Sequence, residues 1–200
     1  MKFPGPYINV TLRILLIAAS ATLVLQTFAH AESRVPYCSE DTCFPKTTNR
    51  MGTEMPQHSR ARYRYYGFSV FDSALYTSQP DAISGDFLGK IPHALRLCYL
   101  RSLTAEEFIR SARETLDLHP ENPNALLADR IKKINAGYQS VQPGDCYQLT
   151  FVPGKGTELS LNDKPVVAIE GDDFARYYFG IWLSKYSFSE SLTEKLTGKR

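Results

Sequence analysis

The sequence predicts an α+β domain in which an antiparallel sheet carries its helices on one side, and three observations predict it. Strand patterns fall in two groups, residues 60 to 101 and residues 146 to 169, and the second group is three short strands joined by turn residues. Between the groups, "TAEEF" opens a helical stretch with a capping signature. After them, "DFARYYFGIWLS" is apolar over more than half its circumference, as a helix laid on a sheet must be.

Residues 1 to 31 read as a secretory signal. Lys2 and Arg13 precede an uncharged run from Ile14 to Leu25, and Ala29-His30-Ala31 forms a small-x-small cleavage site. The apolar core is short for a membrane span, so the cleaved chain is expected to have none. Removing Lys2 and Arg13 with the leader brings the 23 basic residues to 21, equal to the acidic count. A neutral chain lacks the field that drives general binding to phosphate backbones, so nucleic acid is excluded as a partner.

Residues 32 to 59 show little periodicity, with Pro36, Pro45 and Pro56 among polar residues, and read as a loosely ordered lead-in. A long strand pattern follows over 60 to 77, opening on "SRARYRYYGF", where Arg60, Arg62 and Arg64 alternate with Ala61, Tyr63 and Tyr65. Gly67 in its middle reads as a bulge, so face parity before it need not reach Phe71 and Leu75.

A polar connection over 78 to 92 leads to the strand "ALRLCYLR", residues 94 to 101, with Leu95, Leu97 and Tyr99 toward one face. Thr104 and Glu107 form the capping box of a helix over 105 to 118, whose buried stripe is Phe108, Ala112 and Leu116. "HPENPN" ends it, and a second helix is predicted over 124 to 138 with Leu127, Ile131, Ile134 and Tyr138 inward. "CYQLTFV", "TELSL" and "PVVAI" are strands joined by hairpin turns at 153 to 156 and 162 to 163. "PGKGT" lacks the following helix that a phosphate loop needs. A helix capped by Asp172 or Asp173 and a closing helix from Ser189 to Leu196 complete the order.

Four cysteines in an exported chain point to disulfides. Cys38 and Cys43 are placed to close a small loop, while Cys98 and Cys146 can be bridged only if their two strands are neighbours. The histidines His58, His93 and His119 stand at unrelated spacings, so no metal site and no cofactor is predicted.

"YRYYGFSVFDSALYT", "LRLCYLRSLTAEEFIRSARETL", "VQPGDCYQLTFVPGKGTELSLNDKPV" and "GDDFARYYFGIWLS" occur in the order and spacing of the exported bacterial chalcone isomerase-like proteins. The resemblance covers residues 60 to 198. It implies an open-faced β-sandwich of chalcone isomerase type, a large antiparallel sheet with helices packed on one face and a ligand cleft between them. It also implies a choice of roles, because one fold hosts several. The plant enzymes cyclise a chalcone using a strand arginine, a threonine, and a helix-start tyrosine, lysine and asparagine; related plastid proteins hold a fatty-acid carboxylate with an arginine and a tyrosine. Thr104, Glu107 and Ser111 stand here for the enzyme's tyrosine, lysine and asparagine, and Phe71 stands near its threonine.

The resemblance therefore implies a non-catalytic protein that binds a small amphipathic anion such as a fatty acid. No catalytic residue is assigned. A buried carboxylate needs a charge-assisted partner, and Arg62 or Arg64, with Arg60 behind them, is the expected one. Tyr63, Tyr65 or Tyr66 is expected to add a hydroxyl, with Tyr65 taken into the site, and Phe71, Leu97, Phe174 and Tyr178 are expected to line the tail site. The alternatives are an isomerase or intramolecular lyase on another substrate, and an envelope protein-interaction module using the exposed sheet face or the lead-in. The expected location is the bacterial periplasm; oligomeric state is left open.

Overall fold

The structure, a computed structural model, describes residues 43–84 and 86–198. The expected leader and the first part of the lead-in lie outside the described residues. Among those described, a seven-stranded antiparallel sheet runs in sequence order from β1 to β7. Its strands are β1 (Thr47–Arg50), β2 (Thr53–Tyr65), β3 (Phe68–Thr77), β4 (His93–Tyr99), β5 (Cys146–Val152), β6 (Gly156–Leu161) and β7 (Lys164–Ile169). Helices α1 (Ala105–Asp117), α2 (Pro123–Leu126) and α3 (Ala128–Asn135) fill the β4–β5 connection, and α4 (Asp172–Leu183) and α5 (Glu190–Thr197) follow β7. The predicted α+β class with an antiparallel sheet is therefore the one observed.

Three expectations need correction. The strand predicted over 60 to 77 is a hairpin, because Tyr66 and Gly67 both take positive φ (47° and 85°) and form a two-residue turn of the twist-matching primed kind. A tyrosine is an unusual residue for that turn, which hides it in the sequence. The β2–β3 register shifts instead between Gln57 and Ser59 and between Tyr63 and Arg64. Second, the end of the lead-in is ordered: β1 and the first half of β2 pair from Thr47 onward. That hairpin is mostly polar and covers only Thr48 and Met55, so it lacks an apolar alternation to announce it. Third, the helix predicted over 124 to 138 breaks at Leu127 (φ −115°, ψ 19°) into α2 and α3.

Smaller features follow local chemistry. The Thr104 hydroxyl accepts from the Glu107 amide (3.2 Å) and the Glu107 carboxylate accepts from the Thr104 amide (2.7 Å), the reciprocal capping box. Asp172 and Asp173 lie in the first turn of α4 rather than at its cap, which is Gly171. The connection over 78 to 92 is not merely polar, since a 3-10 turn (Pro80–Ser84) and the following residues bury Ile83, Phe87 and Leu88.

The sheet has a core on each face. Toward the helices, Phe71, Leu75, Leu95, Leu97, Tyr147, Leu149 and Phe151 meet Leu116, Phe174, Tyr178 and Phe179. On the outer face, Cys43, Phe44, Met55, Ala74, Tyr76, Ala94, Cys98 and Cys146 form a second cluster. The β1–β2 hairpin curls over that outer face, where Arg50 pairs with Glu158 (3.2 Å) and Gln148 donates to the Thr48 hydroxyl (3.1 Å). Cys98 and Cys146 stand opposite each other in the β4–β5 register, 4.1 Å apart at Cα, and are joined by a disulfide. Cys43 is also disulfide-bonded, and Cys38 lies outside the described residues.

Candidate functional site: a cavity between sheet and helices

The inner core is not filled throughout. A cavity of about 740 Å³ lies between the sheet and the helices, within the range of small-molecule sites. The strands contribute Tyr63, Val70, Phe71, Leu97, Tyr99, Tyr147 and Leu149; α1 contributes Phe108, Ala112 and Thr115; α4 contributes Ile181 and Trp182, with Phe188 beyond its end. Alternation places Leu97 and Tyr99 on one face of β4, and the 3.6-residue period places Phe108, Ala112 and Thr115 on one side of α1.

Aromatic rings form the wall. Phe108 stacks on Tyr138 (5.4 Å between centroids) and meets Tyr99 and Tyr147 edge-on at 5.2 and 5.5 Å. Tyr63 stacks on Phe71 (5.1 Å) and takes the edge of Phe188 (5.0 Å). Tyr147 donates its hydroxyl to the Gln139 carbonyl (3.0 Å) while accepting from the Gln139 amide (2.7 Å). Tyr138 and Tyr178 share a hydroxyl contact of 2.9 Å. The Tyr99 hydroxyl makes no hydrogen bond among the described residues. Burial raises the pKa of Tyr99, Tyr138, Tyr147 and Tyr178, so these phenols stay neutral and serve as donors rather than bases.

The charged lining residues, Arg101, Glu107, Arg110 and Glu114, are at least partly exposed and so mark the mouth. Glu107 is tied into the capping box. Arg110 lies between Glu107 and Glu114 on one face of α1, where their charges offset its own. Arg101 follows Tyr99 by two residues, in the bend just past the end of β4.

The expected site residues are distributed differently from the sequence reading. Tyr65, Phe71 and Leu97 line the cavity. Phe174 and Tyr178 are fully buried behind it, stacked on each other at 4.9 Å, and Tyr178 reaches the wall through Tyr138. Arg62 and Arg64 do not line it. Arg62 points to the outer face, in a two-pronged pair with Asp72 at 2.6 and 2.8 Å. Arg60 lies on that face over the Phe44 ring (4.5 Å), and Arg64 is exposed beside the hairpin turn. Ser111 lines the cavity with Glu107, whereas Thr104 does not.

Sequence reasoning missed Arg101, Arg110, Tyr147 and Trp182. For Arg101 the signal was present, since it extends the Leu95, Leu97, Tyr99 alternation by one step.

A second cavity of about 580 Å³ lies among the 86–88 segment, the end of α1, α4 and α5. There His119 is held edge-on between Tyr177 (5.1 Å) and Tyr186 (4.4 Å), and Tyr177 donates its hydroxyl to Glu121. Its lining carries both Arg176 and Lys185 and Asp86, Glu190 and Glu194, charges that offset one another. The larger cavity is the better ligand site because its interior is hydrocarbon and neutral phenol. Elsewhere the sulfurs of Cys43, Cys98 and Cys146 lie within 4.8 Å of one another, but all three are in disulfides and offer no thiolate to a metal.

Comparison with known proteins agrees with this fold. The solved structure of a fatty-acid binding protein of Arabidopsis thaliana is similar, with a TM-score of 0.57 at 13% identity, covering 77% of this chain and 90% of that one. At that identity the likeness concerns the fold. No curated protein matches the sequence. The chalcone isomerase-like family model matches residues 44–198, beginning with the outer-face cluster rather than at the arginine-tyrosine strand, and the chain belongs to the chalcone isomerase-like family.

Proposed function

We propose that the cavity binds a single-chain amphipathic anion, a fatty acid being the simplest, and that the protein acts as a carrier or sensor of that ligand rather than as a catalyst. The observation that carries this reading is the division of the cavity: apolar and phenolic inside, charged at the mouth. An acyl chain gains by displacing water from such walls, while a carboxylate must stay where a cation and a hydroxyl donor can reach it. Arg101 is the cation we assign, because Arg110 is offset by its two glutamates, and Tyr99 is the hydroxyl, because it has no other bond to lose.

The similarity in fold to the Arabidopsis thaliana fatty-acid binding protein supports the ligand class. Neutral phenols and a cap-bound Glu107 leave the interior without an evident general base, which favours binding over isomerase or lyase chemistry. The Cys98–Cys146 disulfide supports an exported, periplasmic location, where such bonds persist.

The test is solvent extraction of the purified protein with mass spectrometry, followed by displacement of a fluorescent fatty acid. Co-purifying acyl species and saturable displacement are expected, and Arg101→Ala should weaken binding about tenfold, the value of a lost charged hydrogen bond. Neither acyl species nor displacement would overturn the reading. Turnover of a screened substrate would replace it with the enzymatic one, and a stoichiometric partner lost on deleting residues 32 to 59 would replace it with the interaction module.

A further inference from the structure

The tip of the β2–β3 hairpin is built in a way that folding alone does not require. Tyr66 occupies a left-handed conformation (φ 47°) in a turn whose cheapest occupants are asparagine, aspartate and glycine. Its side chain is 85% exposed, so packing against the body of the protein does not compensate for the strained backbone. Phe68 across the turn is 75% exposed and Tyr65 is 56% exposed, with the Tyr65 and Tyr66 rings in edge contact at 4.6 Å. Three adjacent aromatic rings thus project into solvent from a two-residue turn.

We propose that this tip is a membrane-docking element, which inserts Tyr66 and Phe68 into the interfacial layer of an anionic bilayer and turns the cavity mouth toward the lipid. Three features favour a bilayer over a protein groove. Tyrosine and phenylalanine together suit the zone where ring and hydroxyl meet different environments. Arg64 stands beside the turn and Arg101 and Arg110 stand at the mouth, none of them ion-paired among the described residues; Glu107 and Glu114 balance the two mouth arginines, and Arg64 gives tip and mouth together three basic residues to two acidic ones. Tyr65 belongs to both places, lining the cavity while forming part of the tip, so the docked surface runs into the ligand entrance. The purpose of docking, exchange of an amphipathic ligand with the bilayer, rests on the function proposed above; the docking geometry does not.

The experiment places a reporter at the tip of the full chain. Phe68→Trp is titrated with vesicles of phosphatidylcholine alone or mixed with phosphatidylglycerol, with and without brominated acyl chains, and the parent chain with its single Trp182 is the control. The added tryptophan should shift to the blue and be quenched by brominated mixed vesicles, and high salt should reverse both effects. At about 1 kcal/mol per basic residue near an anionic surface, Arg64→Glu should weaken vesicle binding about tenfold or more. Tyr66→Asn should weaken it severalfold while making the fold more stable, so loss of structure cannot account for the result.

An added tryptophan that ignores vesicles overturns the proposal, as does quenching unchanged by both substitutions. Shielding of the tryptophan by a co-purifying protein in place of vesicles also overturns it, in favour of a protein partner. Fatty-acid displacement in vesicle-free buffer separates the two claims. Tyr66→Asn should retain the parent affinity there. Docking without displacement sinks the carrier reading alone, and displacement without docking sinks this inference alone.

Discussion

The two faces of one sheet handle polar groups in opposite ways. On the outer face, charged side chains find partners in the same layer: Arg62 with Asp72, Arg50 with Glu158, and buried Arg96 with Asp163 (2.7 Å) and Gln148 (3.2 Å). On the inner face, the strands present hydrocarbon and phenol, with a space among them and with the Tyr63 and Tyr99 hydroxyls unbonded among the described residues. An unbonded phenol does not separate the faces, since the buried Tyr76 hydroxyl of the outer cluster also has no partner among the described residues; what separates them is that one face pairs its charges while the other encloses a cavity suited to accept something else. Arginine by itself does not mark a site; its pairing decides.

The largest effect should come from the bond that holds the outer face. Replacing Cys98 and Cys146 by alanine frees a loop spanning 48 positions, for which the chain-entropy model gives about 4 kcal/mol. Urea unfolding should show a loss of that order, and a loss below about 1 kcal/mol would mean that the denatured chain is already constrained elsewhere. Ligand displacement by whatever fraction remains folded should be unchanged, since neither cysteine lines the cavity.

The inner face carries its own liability. His93 is fully buried among Phe87, Phe151 and Phe179, with Nδ1 donating to the Ile91 carbonyl (2.8 Å) and Nε2 without a partner among the described residues. Burial pushes its pKa from 6.5 down to about 4. The unfolded chain therefore binds this proton first as the pH falls. The neutral ring's contribution is complete above about pH 6.5 and declines toward pH 4, a loss on the order of 3 kcal/mol across the window. Unfolding measured at a series of pH values should lose that segment of slope in His93→Phe; an unchanged slope would assign it to other groups.

What the sequence made legible follows from where local chemistry decides the structure. The capping box at Thr104 and Glu107 and the turns at Gly154 and at Asn162-Asp163 are short-range devices, and each lies where it was read; the closing helix also starts within one residue of its expected place, with Ser189 as its cap rather than its first residue. The break at Leu127 and the tyrosine in the β2–β3 turn run against local preference, so nothing nearby announces them. The site was half legible for the same reason. Alternation put Leu97 and Tyr99 on one strand face and the helical stripe put Phe108 and Ala112 inward, but of these only Leu97 was read as a site residue. Misreading the turn as a bulge left open which face the arginines share.

Two tyrosines of the cavity wall sharpen the contrast at a smaller scale. Tyr147→Phe removes a hydroxyl bonded to the Gln139 backbone and should cost about 1 kcal/mol of stability. Tyr99→Phe removes a hydroxyl with no bond among the described residues and should leave stability unchanged. Its effect should fall on the ligand, with affinity for a fluorescent fatty acid weakened about fivefold, the equivalent of one net hydrogen bond. If Tyr99→Phe destabilises the fold and spares the ligand, the head-group assignment fails.

The smallest effect is expected where the sequence drew most notice. Arg62 holds Asp72 with good geometry, but its side chain is 37% exposed, and the gain from such a pair is partly lost to solvent screening and side-chain ordering. Arg62→Ala should therefore cost less than about 1 kcal/mol, part of it from Asp72 left alone on a half-buried strand. Fatty-acid affinity in buffer should not change, because the outer-face guanidinium is separated from the ligand by the sheet itself. Arg64→Ala should be silent in the same assay while still weakening attachment to anionic vesicles. A tenfold loss of solution affinity in Arg62→Ala would mean that the hairpin twists far enough to bring this arginine around the sheet edge. The separation of paired and unpaired faces would then hold for the ligand-free fold alone.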